Sequence, residues 1–198
     1  MVADPSPGAG LVLISGPSRS GKSRWAEHLA ASLGERVVYL ATGAPPGEDS
    51  SWAERVALHQ RRRPAHWRSL EVGGELIAAL QDKQLDGQVL LIDSLGTWVA
   101  QHLSSDSTHW GELCAALLET LSSLPMPVLL VCEEVGWGVV PPTAIGGLFR
   151  DRMGALQQEL GAISHQSWLV VAGRAIDVMK LGVPVPSLDH AQGGSVSA

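Results

Sequence analysis

Residues 10–15 form a short apolar run that reads as a buried strand, and Gly16-Pro17-Ser18-Arg19-Ser20-Gly21-Lys22-Ser23 follows at once. These residues fit G-x-x-x-x-G-K-[ST] at every fixed position. Glycine lets the main chain curl so that several N–H groups converge on one anion. The helix that begins there adds the positive end of its dipole. Lys22 is expected to reach the β- and γ-phosphates of a nucleotide, and the Ser23 hydroxyl to ligate Mg²⁺. A chain built around this junction is expected to be an α/β protein that binds nucleoside triphosphates.

The remaining pattern agrees. A helix is expected over 22–33, with Trp25, Leu29 and Leu33 spaced by four and Gly34 just past its end. Buried strands are expected at 36–41, 88–92, 127–132 and 167–172, and an extended piece at 66–72. Helices are expected at about 50–62, 74–82, 95–103, 110–123 and 144–161, with one or two edge strands over 174–183. Ser50 or Ser51 can cap the second helix, supported by Glu54, and Pro64 stops it. Buried strands alternating with helices imply a mostly parallel sheet of about five strands covered on both faces. Residues 1–9 are expected to be disordered, 10–183 to be one catalytic domain, and 184–198 a flexible tail.

Charge and composition remove several classes. A net charge of −6 argues against a general nucleic-acid binder. No apolar stretch approaches the roughly 20 residues of a membrane span. The N-terminal residues lack the basic and apolar regions of a secretory signal, so a cytoplasmic protein is expected. Cys114 and Cys132 have no metal-ligand spacing and read as buried free thiols.

Two further features carry chemistry. Asp93 ends the apolar strand Leu90-Leu91-Ile92, where a carboxylate can hold Mg²⁺ opposite the phosphate cradle or else cap a helix. His59 lies in a basic segment, with Arg55 at i−4, Arg62 at i+3 and Arg63 at i+4 on its helical face. Arginines disfavour imidazolium, so the ring is expected to stay neutral and nucleophilic beside phosphate-binding groups. The plainer alternative is an exposed histidine on a solvated face. Trp67 is expected to pack rather than bind.

Together, several segments resemble the family of bifunctional adenosylcobinamide kinase/adenosylcobinamide-phosphate guanylyltransferases of cobalamin biosynthesis. They are residues 15–24 (SGPSRSGKSR), 39–42 (YLAT), 55–67 (RVALHQRRRPAHW), 90–93 (LLID), 134–136 (EVG), 138–141 (GVVP), 149–151 (FRD) and 169–173 (LVVAG). The H-x-x-x-R-P-x-x-W spacing from His59 to Trp67 is the most specific.

The resemblance implies a RecA-like P-loop fold, typically trimeric, and two reactions. ATP or GTP phosphorylates the aminopropanol hydroxyl of adenosylcobinamide. GTP then guanylylates a histidine, releasing pyrophosphate, and the cobinamide phosphate takes the GMP. That histidine corresponds to His59. Nucleotide contacts fall on Gly16 to Ser23, on Ala41, Thr42 and Gly43, on Gln60, Arg61, Arg62 and Arg63, and on Glu71 and Asp93. Mg²⁺ enters with the nucleotide, and no tightly bound cofactor is expected. Arg62 or Arg63 is the expected pyrophosphate ligand, and Asp93 or Glu134 the expected base of the kinase step. The loop 43–50 is expected to let the His59 helix close on bound GTP.

The chain departs from the family pattern at Pro17 and Ser18, at Glu133 where asparagine is common, and in loops 43–50 and 103–109. A monofunctional small-molecule kinase and a non-catalytic nucleotide switch are the alternative readings.

Overall fold

The computed structural model describes residues 9–45, 47 and 50–186, with only the backbone of Ser51, Trp52 and Arg55. Most of the two terminal segments, the cap expected from Ser51 and the contribution expected from the Arg55 side chain therefore lie outside the described residues.

Each apolar run becomes a strand, and together they form one seven-stranded sheet in the order β3-β2-β4-β5-β1-β6-β7. The strands are β1 (Gly10–Gly16), β2 (Val37–Ala41), β3 (Arg68–Glu71), β4 (Val89–Asp93), β5 (Pro127–Glu133), β6 (Gln166–Val171) and β7 (Arg174–Asp177). All neighbours are parallel except β6 and β7. The sheet has more strands than expected because the 66–72 segment pairs with β2 instead of remaining a connector.

The continuous apolar runs are explained by helices on both faces. Leu11, Leu13, Val38, Leu40, Leu90, Ile92, Val128 and Leu130 point to one core. That core is closed by α3 (Leu76–Leu80), α4 (Leu95–Gln101), α5 (Ser107–Ser123) and α6 (Ala144–Ile163). Their sequence neighbours Val12, Ile14, Val37, Leu91, Leu129 and Val131 point the other way, against Ala26, Leu29 and Ala30 of α1 (Lys22–Leu33). Trp67 joins this second core, as packing predicts. Cys114 and Cys132 are buried and free.

Three boundaries differ for local reasons. α3 is shorter than expected because Gly73 (φ +53°) turns the chain before it and Asp82 caps a separate 3-10 turn, accepting from Gln84 N–H at 2.9 Å. α5 starts earlier because Asp106 accepts from His109 N–H at 2.9 Å. Of the one or two edge strands open over 174–183, one forms, β7, and after it Asp177 caps a short helix, α7 (Val178–Leu181). Among the described residues no helix is long and apolar enough to cross a membrane.

The helix carrying His59, α2 (Ser50–Arg62), is different in kind. None of its described residues is fully buried. Among its described residues, Arg62 pairs with Glu27 of α1 and His59 lies against Asp93 of β4.

Candidate active site

The junction of β1 and α1 has the conformation its glycines allow. Gly16 has φ +157°, and a Cβ there would lie 2.3 Å from the Val170 carbonyl oxygen. Gly21 is left-handed at the N-cap of α1, and Arg19 is also left-handed (φ +59°). Successive turns of this hand aim main-chain N–H groups into one hollow. Pro17 removes a donor but contributes its carbonyl, which accepts from Ser20 N–H at 3.3 Å and from Lys22 Nζ at 3.4 Å. Lys22 is thus folded across the loop and only 5% exposed.

Sheet order places the ends of β4 and β5 beside this loop, bringing in Asp93 and Glu133. Asp93 Oδ2 accepts from the Tyr39 hydroxyl at 2.7 Å and lies 3.5 Å from His59 Nδ1. Burial pushes the Asp93 carboxyl up. Hydrogen bonds from His59 and Tyr39, the electrostatic influence of the adjacent His59 ring and a hydrogen bond from Ser23 more than offset this, leaving it below the usual carboxylate value. Burial, then the Asp93 charge, drives the Tyr39 phenol far up, so Tyr39 is a fixed donor. Asp93 is not the cap of the next helix. That role falls to Ser94, in a capping box with Thr97.

The arginines separate. Pro64 disfavours helical backbone at the residue before it, and Arg63 lies just beyond the end of α2. Its guanidinium carbon sits 3.3 Å from the Tyr39 ring centroid, and its Nη1 donates to Ser69 Oγ at 3.2 Å. Arg63 Nε is buried without a partner among the described residues. Arg62 instead turns to α1 and pairs with Glu27 at 3.0 Å. Arg61 is exposed. Among the described side chains of the expected cluster, Arg63 lines the site and Arg62 does not.

Glu133 anchors the other wall. It accepts from Ser94 Oγ at 2.5 Å and from Gly96 N–H at 2.9 Å, and so satisfies the N-terminus of α4. A Cβ at position 96 would collide with this carboxylate. Thr42 is fully buried in the same network, donating to the Ser94 carbonyl at 2.6 Å and accepting from Ser94 N–H at 2.8 Å. Glu134 is turned away and held by Gln157 Nε2 at 2.5 Å.

A cavity of about 660 Å³ lies between these walls. It brings together Ser18, Lys22, Ser23, Ala41, Gly43, His59, Gln60, Arg63, Glu71 and Asp93 from the expected set. Arg61, Arg62, Thr42 and Glu134 do not line it, and Gly16, Pro17, Arg19, Ser20 and Gly21 form the loop body beneath. Tyr39, Glu133, Val135 and Phe149 line it without having been singled out as contacts. Tyr39 had a signal. A phenol in the apolar strand Val37-Val38-Tyr39-Leu40-Ala41 must find a buried acceptor.

Residues 12–178 match the family described as cobinamide kinase / cobinamide phosphate guanyltransferase. The chain belongs to this family. The span matched by the cobinamide kinase family runs from β1 to the start of α7 and contains every residue lining the cavity. The chain is 42% identical over 163 residues to the bifunctional adenosylcobalamin biosynthesis protein CobP of Pseudomonas aeruginosa, covering 81% of this chain and 92% of that protein. It is 31% identical over 182 residues to the bifunctional adenosylcobalamin biosynthesis protein CobU of Escherichia coli, covering 85% and 99%. The solved structure of the flagellar accessory protein FlaH of Methanocaldococcus jannaschii superposes with a TM-score of 0.52 at 13% identity, covering 90% of this chain and 83% of that one. That likeness concerns the fold alone.

Proposed function

We propose that this chain catalyses both reactions named in its family's description, on adenosylcobinamide and its phosphate. ATP or GTP phosphorylates the aminopropanol hydroxyl. GMP then passes from GTP through His59 to the cobinamide phosphate, giving adenosylcobinamide-GDP. The observation that carries this reading is the position of His59: it opens on the same cavity as Lys22 and Ser23 and lies against Asp93.

The residues divide the work. The main-chain amides of the Gly16–Ser23 loop and the Lys22 ammonium bind the phosphates and offset charge developing on them. Arg63 lines the cavity and is the better of the two arginines for the departing pyrophosphate, since Arg62 lies outside the lining and is tied to Glu27. For the kinase step, Asp93 and Glu133 are the carboxylates lining the cavity beside the loop, and Asp93 is the candidate base. Glu134, the other candidate read from the sequence, lies outside the lining and is bound to Gln157.

Ser23 and the ionised Asp93 supply hard oxygen ligands side by side and fit Mg²⁺ brought with the nucleotide. Bound there, Mg²⁺ would lend positive charge to the β- and γ-phosphates. Among the described residues no group of three or more His, Cys, Asp and Glu could hold a metal unaided, so phosphate oxygens and water would complete its shell. None of the described residues of α2 is fully buried, which supports closure of this helix on GTP. Exposed Trp137, Val139, Val140 and Ile145, close together in the chain, support self-association, and we carry over the trimer from the family resemblance. A cytoplasmic setting suits these nucleotide-dependent reactions.

The test is incubation with α-labelled GTP. The expected product is an acid-labile, base-stable labelled protein that is absent in His59→Ala. Phosphoryl transfer without labelling would leave a small-molecule kinase. Nucleotide binding with neither activity would leave a switch.

A further inference from the structure

We propose that Asp93 and Tyr39 are positioning residues for His59: the Asp93 carboxylate, pinned by the Tyr39 hydroxyl, holds the imidazole by Nδ1 and thereby presents Nε2 to the nucleotide. This rests on the reading of His59 as the group that carries GMP.

The three side chains form one chain of contacts. Tyr39 is 1% exposed, and its backbone is fixed in β2, which pairs with β4 in the register Ala41 to Asp93. Its ring is packed in the core and carries the Arg63 guanidinium at 3.3 Å from the ring centroid. A ring so confined has one direction for its hydroxyl, which donates to Asp93 Oδ2 at 2.7 Å. The same oxygen lies 3.5 Å from His59 Nδ1. A neutral imidazole has one N–H, and a carboxylate can only accept. The proton therefore belongs on Nδ1, and the lone pair on Nε2.

This tautomer suits the chemistry without any proton moving. The Nε2 lone pair forms a bond to the α-phosphorus of GTP, the bond from that phosphorus to the bridging oxygen breaks, and pyrophosphate leaves with the electron pair. The Nδ1 proton stays, so the ring becomes cationic, and Asp93 offsets that charge. In the second half, a phosphate oxygen of the acceptor bonds to phosphorus, the P–Nε2 bond breaks, and the neutral ring returns with Nδ1 still protonated. Carboxylates that orient a catalytic histidine act in this way elsewhere. His59 is itself only partly buried, and none of the described residues of its helix is fully buried, so the contact with Asp93 is what fixes the ring's direction in this account.

Two readouts test this. Ring ¹⁵N resonances, with His59 assigned by its loss in His59→Ala, report which nitrogen carries the proton. Single-turnover labelling with α-labelled GTP reports the guanylylation rate, and nucleotide affinity is measured separately. We expect protonated Nδ1 and bare Nε2 in the unaltered protein. In Asp93→Asn the amide can donate to Nδ1, so the tautomer should switch and the rate should fall roughly a thousandfold or more. Tyr39→Phe keeps the packing volume and should slow labelling roughly tenfold, the weight of one hydrogen bond to a charged group.

Bare Nδ1 in the unaltered protein overturns the inference. So does labelling at the unaltered rate by a folded, GTP-binding Asp93→Asn. If Asp93→Asn does not fold, Tyr39→Phe decides: an unchanged rate and ring spectrum overturn the inference. If the unaltered protein takes no label, or His59→Ala still takes it, the reading of His59 falls and this inference with it. If His59 is labelled and both variants label equally fast, that reading stands and only the positioning role is lost.

Discussion

Replacing Glu133 should destabilise the protein in a defined order, with Glu133→Ala worse than Glu133→Gln. Alanine removes the acceptors of Ser94 Oγ (2.5 Å) and Gly96 N–H (2.9 Å) together with a negative charge at the N-terminus of α4. Hydrogen bonds to a charged group contribute roughly 1.5–3 kcal/mol each. Glu133 is only half-buried, and water can rehydrate part of the loss, so about 2–3 kcal/mol is the expected cost for the pair. Glutamine can keep its oxygen on Gly96 N–H and turn its amide to Ser94, whose hydroxyl can rotate to accept. Only the charge-assisted part is then lost, about 1 kcal/mol. For a domain of this size, alanine should lower Tm by roughly 5–10 °C. Urea unfolding followed by tryptophan fluorescence measures both variants, with the midpoint falling at unchanged slope. An alanine variant within about 0.5 kcal/mol of the parent, or a glutamine variant less stable than the alanine one, would refute the capping account.

Three other outcomes are expected. Lys22→Ala should reduce both phosphoryl transfer and labelling by GTP by roughly a hundredfold or more, because one ammonium serves one cradle; normal kinase turnover would contradict a shared site. Gly16→Ala should fail to bind nucleotide in equilibrium titrations, since its Cβ meets the Val170 carbonyl at 2.3 Å and the Ser20 hydroxyl at 2.8 Å. Burial pushes the Cys114 thiol up to about 11 from 9.0. Its alkylation in the folded protein should therefore climb until about pH 11, whereas in urea it should level off near pH 9. Because the folded state holds this proton more tightly, the linked stability is complete below pH 9 and is lost as pH rises to about 11.

The sequence alone determined the glycine-punctuated strand-to-helix turn and the layered α/β class, and it marked His59 and Asp93 as candidates. Those are local properties. A glycine-punctuated turn needs only its own eight residues, and a buried parallel strand announces itself by an unbroken apolar run such as Val89 to Ile92. Tertiary structure decided which side chains meet. Nothing in the spacing of the basic segment says that Arg62 turns to Glu27 while Arg63 lies over Tyr39. Nor does it say that Tyr39 and His59, twenty residues apart, share one oxygen of Asp93. Those contacts depend on sheet order, which sets β2 beside β4 and β5 beside β1, and on the way α2 lies over the strand ends. Distances between distant segments come from packing the whole chain, so a pattern read within one segment does not contain them.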